Sequence, residues 1–233
     1  MTTADLAKEP RTVAAMFDTV APNYDFADAV MTVGLIGWWR RRTLKVIRPA
    51  PGERILDLAA GTCSSSIALA KRDASVVACD FSEGMLRQGR QRVGGRVGQL
   101  SLIGGDGTRL PFADETFDKV TVSFGLRNVQ DVPKALTELR RVTKPGGKLV
   151  ICEFSRPVWR PYRALYRWYL SRVMPALAKL VASNSPAYGY LADSIWAWAD
   201  QQELERQLEQ AGWASATHSN MMGGIVALHS AAR

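Results

Sequence analysis

The amino-acid sequence predicts an α/β fold, a doubly wound and mostly parallel sheet, on three observations. Short apolar runs alternate with amphipathic stretches from residue 54 to residue 153. The first of them, Arg54-Ile-Leu-Asp-Leu58, passes straight into the small residues 59–66, which leave room for a ligand to approach the backbone where a helix begins. Two strand-like runs joined by Met221-Met-Gly-Gly224 end the chain, an antiparallel hairpin that a plain dinucleotide-binding half does not require.

In chain order, residues 1–11 read as a loose tail. Val13, Met16, Phe17 and Val20 recur on one side of a helix over residues 12–21, which Pro22 interrupts. Aromatics and cations mix from residue 23 to 42 and run into a helix ending at Ile47, so residues 12–48 form an N-terminal helical cap. Pro49, Pro51 and Gly52 mark the loop before the strand at 54–58. A helix over 64–72, a strand over 75–79 with Asp80 at its tip, a helix over 82–93 and a strand over 100–103 follow. The alternation continues with a strand over 119–124, a helix over 133–142, the Pro145-Gly-Gly147 turn and a strand over 148–153. Residues 157–190, rich in arginine and aromatics and punctuated by Pro157, Pro161, Pro175 and Pro186, break the rhythm as a helical lid insertion. A helix over 200–211, a strand near 213–218 and a last strand over 225–229 complete a single domain spanning residues 1–233.

Composition narrows the classes. With 233 residues and 47% hydrophobic content the chain buries a full core. No run approaches the roughly 18 apolar residues of a spanning helix, and residues 1–10 lack the apolar core of a signal segment, so a cytoplasmic protein is expected. Cys63, Cys79 and Cys152 lie in or beside strands without metal-ligand spacing, which points to small core residues rather than a disulfide or a zinc site. Thirty Lys and Arg against 22 Asp and Glu give a formal net charge of +8, suited to phospholipid, nucleic acid or an acidic substrate, or to an uninvolved basic surface. No RNA-binding motif is present, and nucleic acid is not expected as a partner.

In open α/β sheets ligands bind beyond the carboxyl ends of the strands, here residues 59–63, Asp80, Asp106 and residues 123–128. Asp80 follows Gly61 by about 20 positions, the distance at which an acid accepts the hydroxyls of a ribose. Asp106 is placed to accept from an exocyclic amine. The loop itself, Ala59-Ala60-Gly61-Thr62-Cys63-Ser64, has one glycine where a dinucleotide fingerprint wants three, and it has no Walker lysine. That disfavours a nicotinamide oxidoreductase and leaves several cofactors, and an ordinary turn, open.

The loop resembles the acid-x-Gly-x-Gly-x-Gly loop of class I S-adenosylmethionine-dependent methyltransferases, with Asp57 and Gly61 kept and Ala59 and Cys63 at the outer glycines. Tyr24-Asp25, Gly34 and Trp39-Arg40, together with Arg141-Val-Thr-Lys-Pro-Gly-Gly147 leading to Glu153-Phe-Ser155, resemble the two signatures of the ubiquinone/menaquinone biosynthesis C-methyltransferases. Ser123-Phe-Gly-Leu-Arg-Asn128, residues 188–195 and Gly223-Gly-Ile-Val-Ala-Leu-His229 look like further segments of that family, so the resemblance spans about residues 12–229. It is strongest to the shorter, actinobacterial-type members. Three positions depart from the pattern: Ala27-Asp28 stands for Met-Asn, Ile36 for histidine and Ala199 for proline.

The resemblance implies a Rossmann-like class I fold, S-adenosyl-L-methionine as cofactor, no metal, and C-methylation of the reduced demethylmenaquinone ring to menaquinol, the last step of menaquinone biosynthesis. A polyprenyl methoxy-benzoquinol of ubiquinone biosynthesis is the alternative substrate, and a non-catalytic basic membrane-binding module a third reading. The substrate is the quinol because the oxidised ring is itself electrophilic. By position the resemblance makes Thr62, Asp80, Asp106, Gly107 and Ser123 the cofactor residues and Arg127 and Asn128 the catalytic ones. Arginine stays protonated, so Arg127 would hold the developing phenolate or orient a water that takes the proton, with Asn128 fixing the quinol or that water. Met85 packs on the adenine or in the helix core; Tyr24, Glu153, Tyr188 and His229 are further pocket candidates, His229 being either structural or a proton carrier.

The polyprenyl naphthoquinol implied as substrate carries a long apolar tail. A helix through the insertion would gather Arg156, Arg160, Arg163 and Arg167 on one side, with Tyr162, Leu165, Tyr166, Tyr169 and Val173 opposite. Such a segment, with Trp38-Trp39-Arg40-Arg41-Arg42 as a second contact, either lies on the anionic inner face of the cell membrane or packs on the domain with its arginines in water.

Overall fold

The computed structural model describes residues 7–94, 99–174, 176 and 185–233. Its first strand, β1 (Arg54–Leu58), lies inside the sheet with Ile55 and Leu56 fully buried, as a parallel strand covered on both faces requires. β2 (Ser75–Asp80) and β3 (Leu100–Gly104) extend the sheet to one side; β4 (Phe117–Ser123) and β5 (Thr143–Phe154) extend it to the other, all parallel. β7 (Val226–Ala232) pairs antiparallel with β5 and with the edge strand β6 (Ala214–Met221). Among the described residues the order is β3-β2-β1-β4-β5-β7-β6 in one seven-stranded sheet, the expected parallel sheet with its terminal hairpin.

Alternate strand residues feed two cores. Leu56, Val120, Leu149 and Ile151 pack with Phe117, Leu136, Leu139 and Trp213 on one face. Ile55, Val76, Val150 and Cys152 pack with Trp39, Leu69 and Leu228 on the other. All three cysteines are buried and free.

Helix starts follow capping chemistry. α1 (Pro10–Val20) begins two residues before the apolar periodicity suggests, because the Glu9 carboxylate accepts the Thr12 N–H and Pro10 suits the first turn. Pro22 does not end the cap: it sits in a 3₁₀ turn, Ala21–Asn23, leading directly into α2 (Tyr24–Met31), and α3 (Ile36–Ile47) follows. Ser82 caps α5 (Glu83–Val93) and Asp131 caps α6 (Val132–Val142), each accepting an N–H three residues on. β5 starts at Thr143 rather than 148, since Thr143 pairs with Phe117 and Lys148 with Lys119, leaving the Pro145-Gly-Gly147 turn as an irregularity inside the strand.

Within the insertion, α7 (Arg160–Trp168) continues into a π-helical turn, Tyr169–Val173, and a further helix, Ser185–Ala197, runs past residue 190. Pro175 and residues 177–184 lie outside the described residues. The expected arginine face is corrected at one end: Arg156 precedes the helix and donates to the carbonyls of Trp196 and Trp198 at 2.7 and 2.8 Å. Of the residues placed opposite the arginines, Tyr166 is buried and Leu165 is exposed, and Trp39 of the second suggested contact is core. No helix among the described residues is long and apolar enough to cross a membrane.

Candidate active site

The turn from β1 into α4 (Ser64–Ala70) uses left-handed backbone at Ala59, Gly61 and Cys63, with φ of 55°, 55° and 61°. Only glycine adopts it freely, so Ala59 and Cys63 each carry strain of roughly 1–2 kcal/mol. A glycine faces each of them. A Cβ on Gly125 would stand 2.2 Å from that of Ala59, and one on Gly89 would stand 2.5 Å from Cys63 Sγ. The glycines missing from the loop thus recur on the elements packed against it.

Asp80, at the tip of β2, secures this turn: its carboxylate accepts the N–H groups of Gly61 and Ser82, each at 2.8 Å. Burial raises its pKa and these donors work the other way. Asp106 accepts the Thr108 N–H at 2.8 Å and hydroxyl at 2.9 Å. With Gly107 and Ser123 these acids line a cavity of about 310 Å³ beyond the strand ends. Phe81 stands half-exposed on its wall, buried Met85 beside it, and α1 closes it with Val13, Ala14 and Phe17. α1 is fastened by Asp18, which accepts the Gly84 N–H at 2.8 Å and the Ser82 hydroxyl at 2.5 Å over the start of α5.

A second, largely apolar cavity of about 430 Å³ adjoins the first and shares Phe17, Tyr24 and Phe124 with it. Its charged lining among the described residues is Asp28 and Arg127. Arg127 sits in a 3₁₀ turn, Leu126–Asn128, just past β4. Its Nη1 donates to the Phe124 carbonyl at 2.6 Å and to Glu153 Oε1 at 2.7 Å, both partners of the ion pair being almost wholly buried. Burial opposes the guanidinium charge, Glu153 together with Tyr24 and Tyr190 works the other way, and the Arg127 pKa ends above its ordinary value. The Nε–H is buried without a partner.

The model of the ubiE/COQ5 methyltransferase family matches residues 4–233. The chain belongs to the ubiE/COQ5 methyltransferase family. It is 52% identical to a demethylmenaquinone methyltransferase of Streptomyces avermitilis over 229 residues, 98% of this chain and 97% of that one. It is 51% identical to a protein of the same name from Mycobacterium marinum, over 98% of this chain and 96% of the other. Among solved structures it resembles a SAM dependent methyltransferase from Aquifex aeolicus, with a TM-score of 0.61 at 19% identity, covering 83% of this chain and 88% of that. Haemonchus contortus phosphoethanolamine N-methyltransferase 2 in complex with S-adenosyl-L-methionine gives 0.62 at 16% identity, covering 83% and 52%. These likenesses show the class I methyltransferase fold.

Within this ubiE/COQ5 family member, Asp80, Asp106, Gly107 and Ser123 come together on one cavity, and Asn128 joins them with its Oδ1 accepting from Tyr190 at 3.1 Å. Thr62 does not: its hydroxyl turns away to donate to Asp25 Oδ1 at 3.0 Å, in a cluster with Ser64 and Arg92 that ties α2 to the loop. Tyr24 lines both cavities, while Glu153 stands behind Arg127. Of the two readings of His229 the structural one fits: it is buried at 2.9 Å from the Gln201 carbonyl, lines neither cavity, and burial lowers its pKa. The Tyr188 side chain lies outside those described. Sequence reasoning missed Phe81, whose position directly after Asp80 was the one signal for it; it named residues 12–48 as a cap but not Val13, Ala14 and Phe17 as the side chains that close this cavity.

Proposed function

We propose that the chain transfers the methyl group of S-adenosyl-L-methionine to the ring carbon of reduced demethylmenaquinone. The observation that carries this is the meeting of two unlike cavities at Phe17, Tyr24 and Phe124: one with acids at the strand tips, the other apolar with a buried cation. The polar cavity fits the cofactor, since Asp80 and Asp106 offer acceptors for ribose and adenine and the exposed ring of Phe81 offers a stacking surface. Bound there, the cofactor supplies an electrophilic methyl. Gly107 and Ser123 shape the wall, and Thr62 positions the loop through Asp25. Arg127 stabilises the phenolate formed from the quinol, and Asn128 orients the ring between the cavities.

The mouth of the apolar cavity supports delivery from a bilayer on the inner face of the cell membrane. Val33, Leu165, Trp168 and Met222 line it and are exposed, with Arg160, Arg163 and Arg167 on the same short helix. Residues 12–48 and 157–190 act as the two covers of the site. Methyl-transfer assays on reduced demethylmenaquinone and a reduced methoxy-benzoquinone, side by side, test this: the naphthoquinol is methylated at least about tenfold more efficiently, a selectivity within reach of differential pocket contacts. Preference for the benzoquinol would move the chain to the alternative substrate.

A further inference from the structure

Resting on that assignment, we propose that Asp28 is the proton acceptor for the quinol hydroxyl. Asp28 lies one turn after Tyr24 on α2, so both project from one face, and it is the carboxylate lining the apolar cavity among the described residues. Tyr24 donates a hydrogen bond to it. The charged and titratable groups facing it are Tyr24 and Asp25 of α2, Arg40 of α3 and Arg127 beyond β4.

The other groups near the reacting centre are committed elsewhere. Glu153 accepts from Arg127 and from the Phe154 N–H; Asp57 accepts from Ser66 at 2.6 Å; Asp25 holds Thr62 and Ser64. Arg127 cannot act as a base, and burial pushes the Tyr24 phenol well above its usual range, so it stays protonated and passes hydrogen bonds only. Burial likewise raises Asp28, to about 7, which matches a base working near neutrality. The chain carries this acid where the signature it resembles has asparagine, and Ile36, on the same cavity, where that signature has histidine.

The O–H bond of the quinol breaks to the Asp28 carboxylate and its electron pair stays on oxygen. Negative charge moves from Asp28 to the ring oxygen beside Arg127, so no new charge is created in the cavity. The ring carbon then bonds to the methyl as the methyl–sulfur bond breaks, its electron pair remaining on sulfur. The resulting dienone loses its ring proton to water, and the Asp28 proton returns to the oxygen; one proton is released overall.

The test is a set of rate profiles from about pH 5.5 to about pH 9 for wild type and Asp28→Asn, on whichever of the two quinols the wild type methylates. Wild-type kcat rises with pH through an apparent pKa near 7. Asp28→Asn lowers kcat by about a hundredfold or more and loses that limb. Calorimetric affinity for S-adenosylhomocysteine stays within about twofold, showing that the variant is folded with its cofactor cavity intact. An unchanged kcat and profile in Asp28→Asn overturns the assignment of Asp28 alone. Failure of the wild type to methylate either quinol overturns the functional assignment, and Asp28 with it.

Discussion

Arg127 cannot be removed alone without stranding Glu153, a buried acid whose cation it supplies. Arg127→Met is therefore expected to destabilise the fold by about 3–5 kcal/mol, enough to be mistaken for a catalytic defect. Arg127→Met with Glu153→Gln removes the stray charge and keeps an amide carbonyl as acceptor for one of the two backbone N–H groups, of Arg127 and Phe154, that Glu153 serves. The double variant should regain most of the lost denaturation midpoint while its turnover stays depressed by about a hundredfold, the scale of a lost oxyanion donor. Recovery of turnover together with stability would make the pair structural. At this scale the sequence was legible where position alone decides which residues meet: Asp80, Asp106 and Asn128 end or follow strands, and strand ends converge on one cavity. It was not legible where direction decides. Nothing in the spacing told that Thr62 points to Asp25, because side-chain aim in a left-handed turn depends on the helix packed against it.

The facing pairs Ala59–Gly125 and Cys63–Gly89 make the loop one unit with the elements around it. Gly125→Ala would drive two methyl carbons to 2.2 Å, forcing the β1 turn or the Arg127 turn to move. A loss of about 2–3 kcal/mol is expected from such overpacking. Ala59→Gly in the same chain removes the obstacle and the left-handed strain together, so the double variant should recover nearly all of it. A thermodynamic cycle would show a coupling of about 1–3 kcal/mol; additive losses would mean that the loop yields independently of Gly125. The sequence showed alanine and cysteine at two glycine positions but not where the space had gone, since Gly89 and Gly125 lie far along the chain. Strands and helices were read well because their periods are local. The 3₁₀ turn at Pro22 and the irregularity in β5 were missed because the first is set by the helix it leads into and the second by the register against β4.

A net charge of +8 and an apolar cavity opening among Val33, Leu165, Trp168 and Met222 fit a molecule that draws its substrate from an anionic surface. Leu165 and Trp168 are each 57% exposed, so converting them to glutamine removes little from the folded core. On the proposed delivery from a bilayer, what it would remove is insertion into lipid, worth about 1.5 kcal/mol or more for each side chain fully taken out of water. Leu165→Gln with Trp168→Gln should therefore weaken binding to phosphatidylglycerol-containing vesicles by at least about tenfold. Raising salt should weaken the wild type as well, since the basic surface acts through a field that screens within about 8 Å at physiological ionic strength. The kinetic consequence separates delivery from chemistry. With a long-tailed quinol in vesicles KM should rise in the double variant while kcat holds, and with a tail-less naphthoquinol in solution both should match the wild type. An equal loss on the two substrates would place Leu165 and Trp168 in the wall of the reacting site, and the tail would then enter from another side of the molecule.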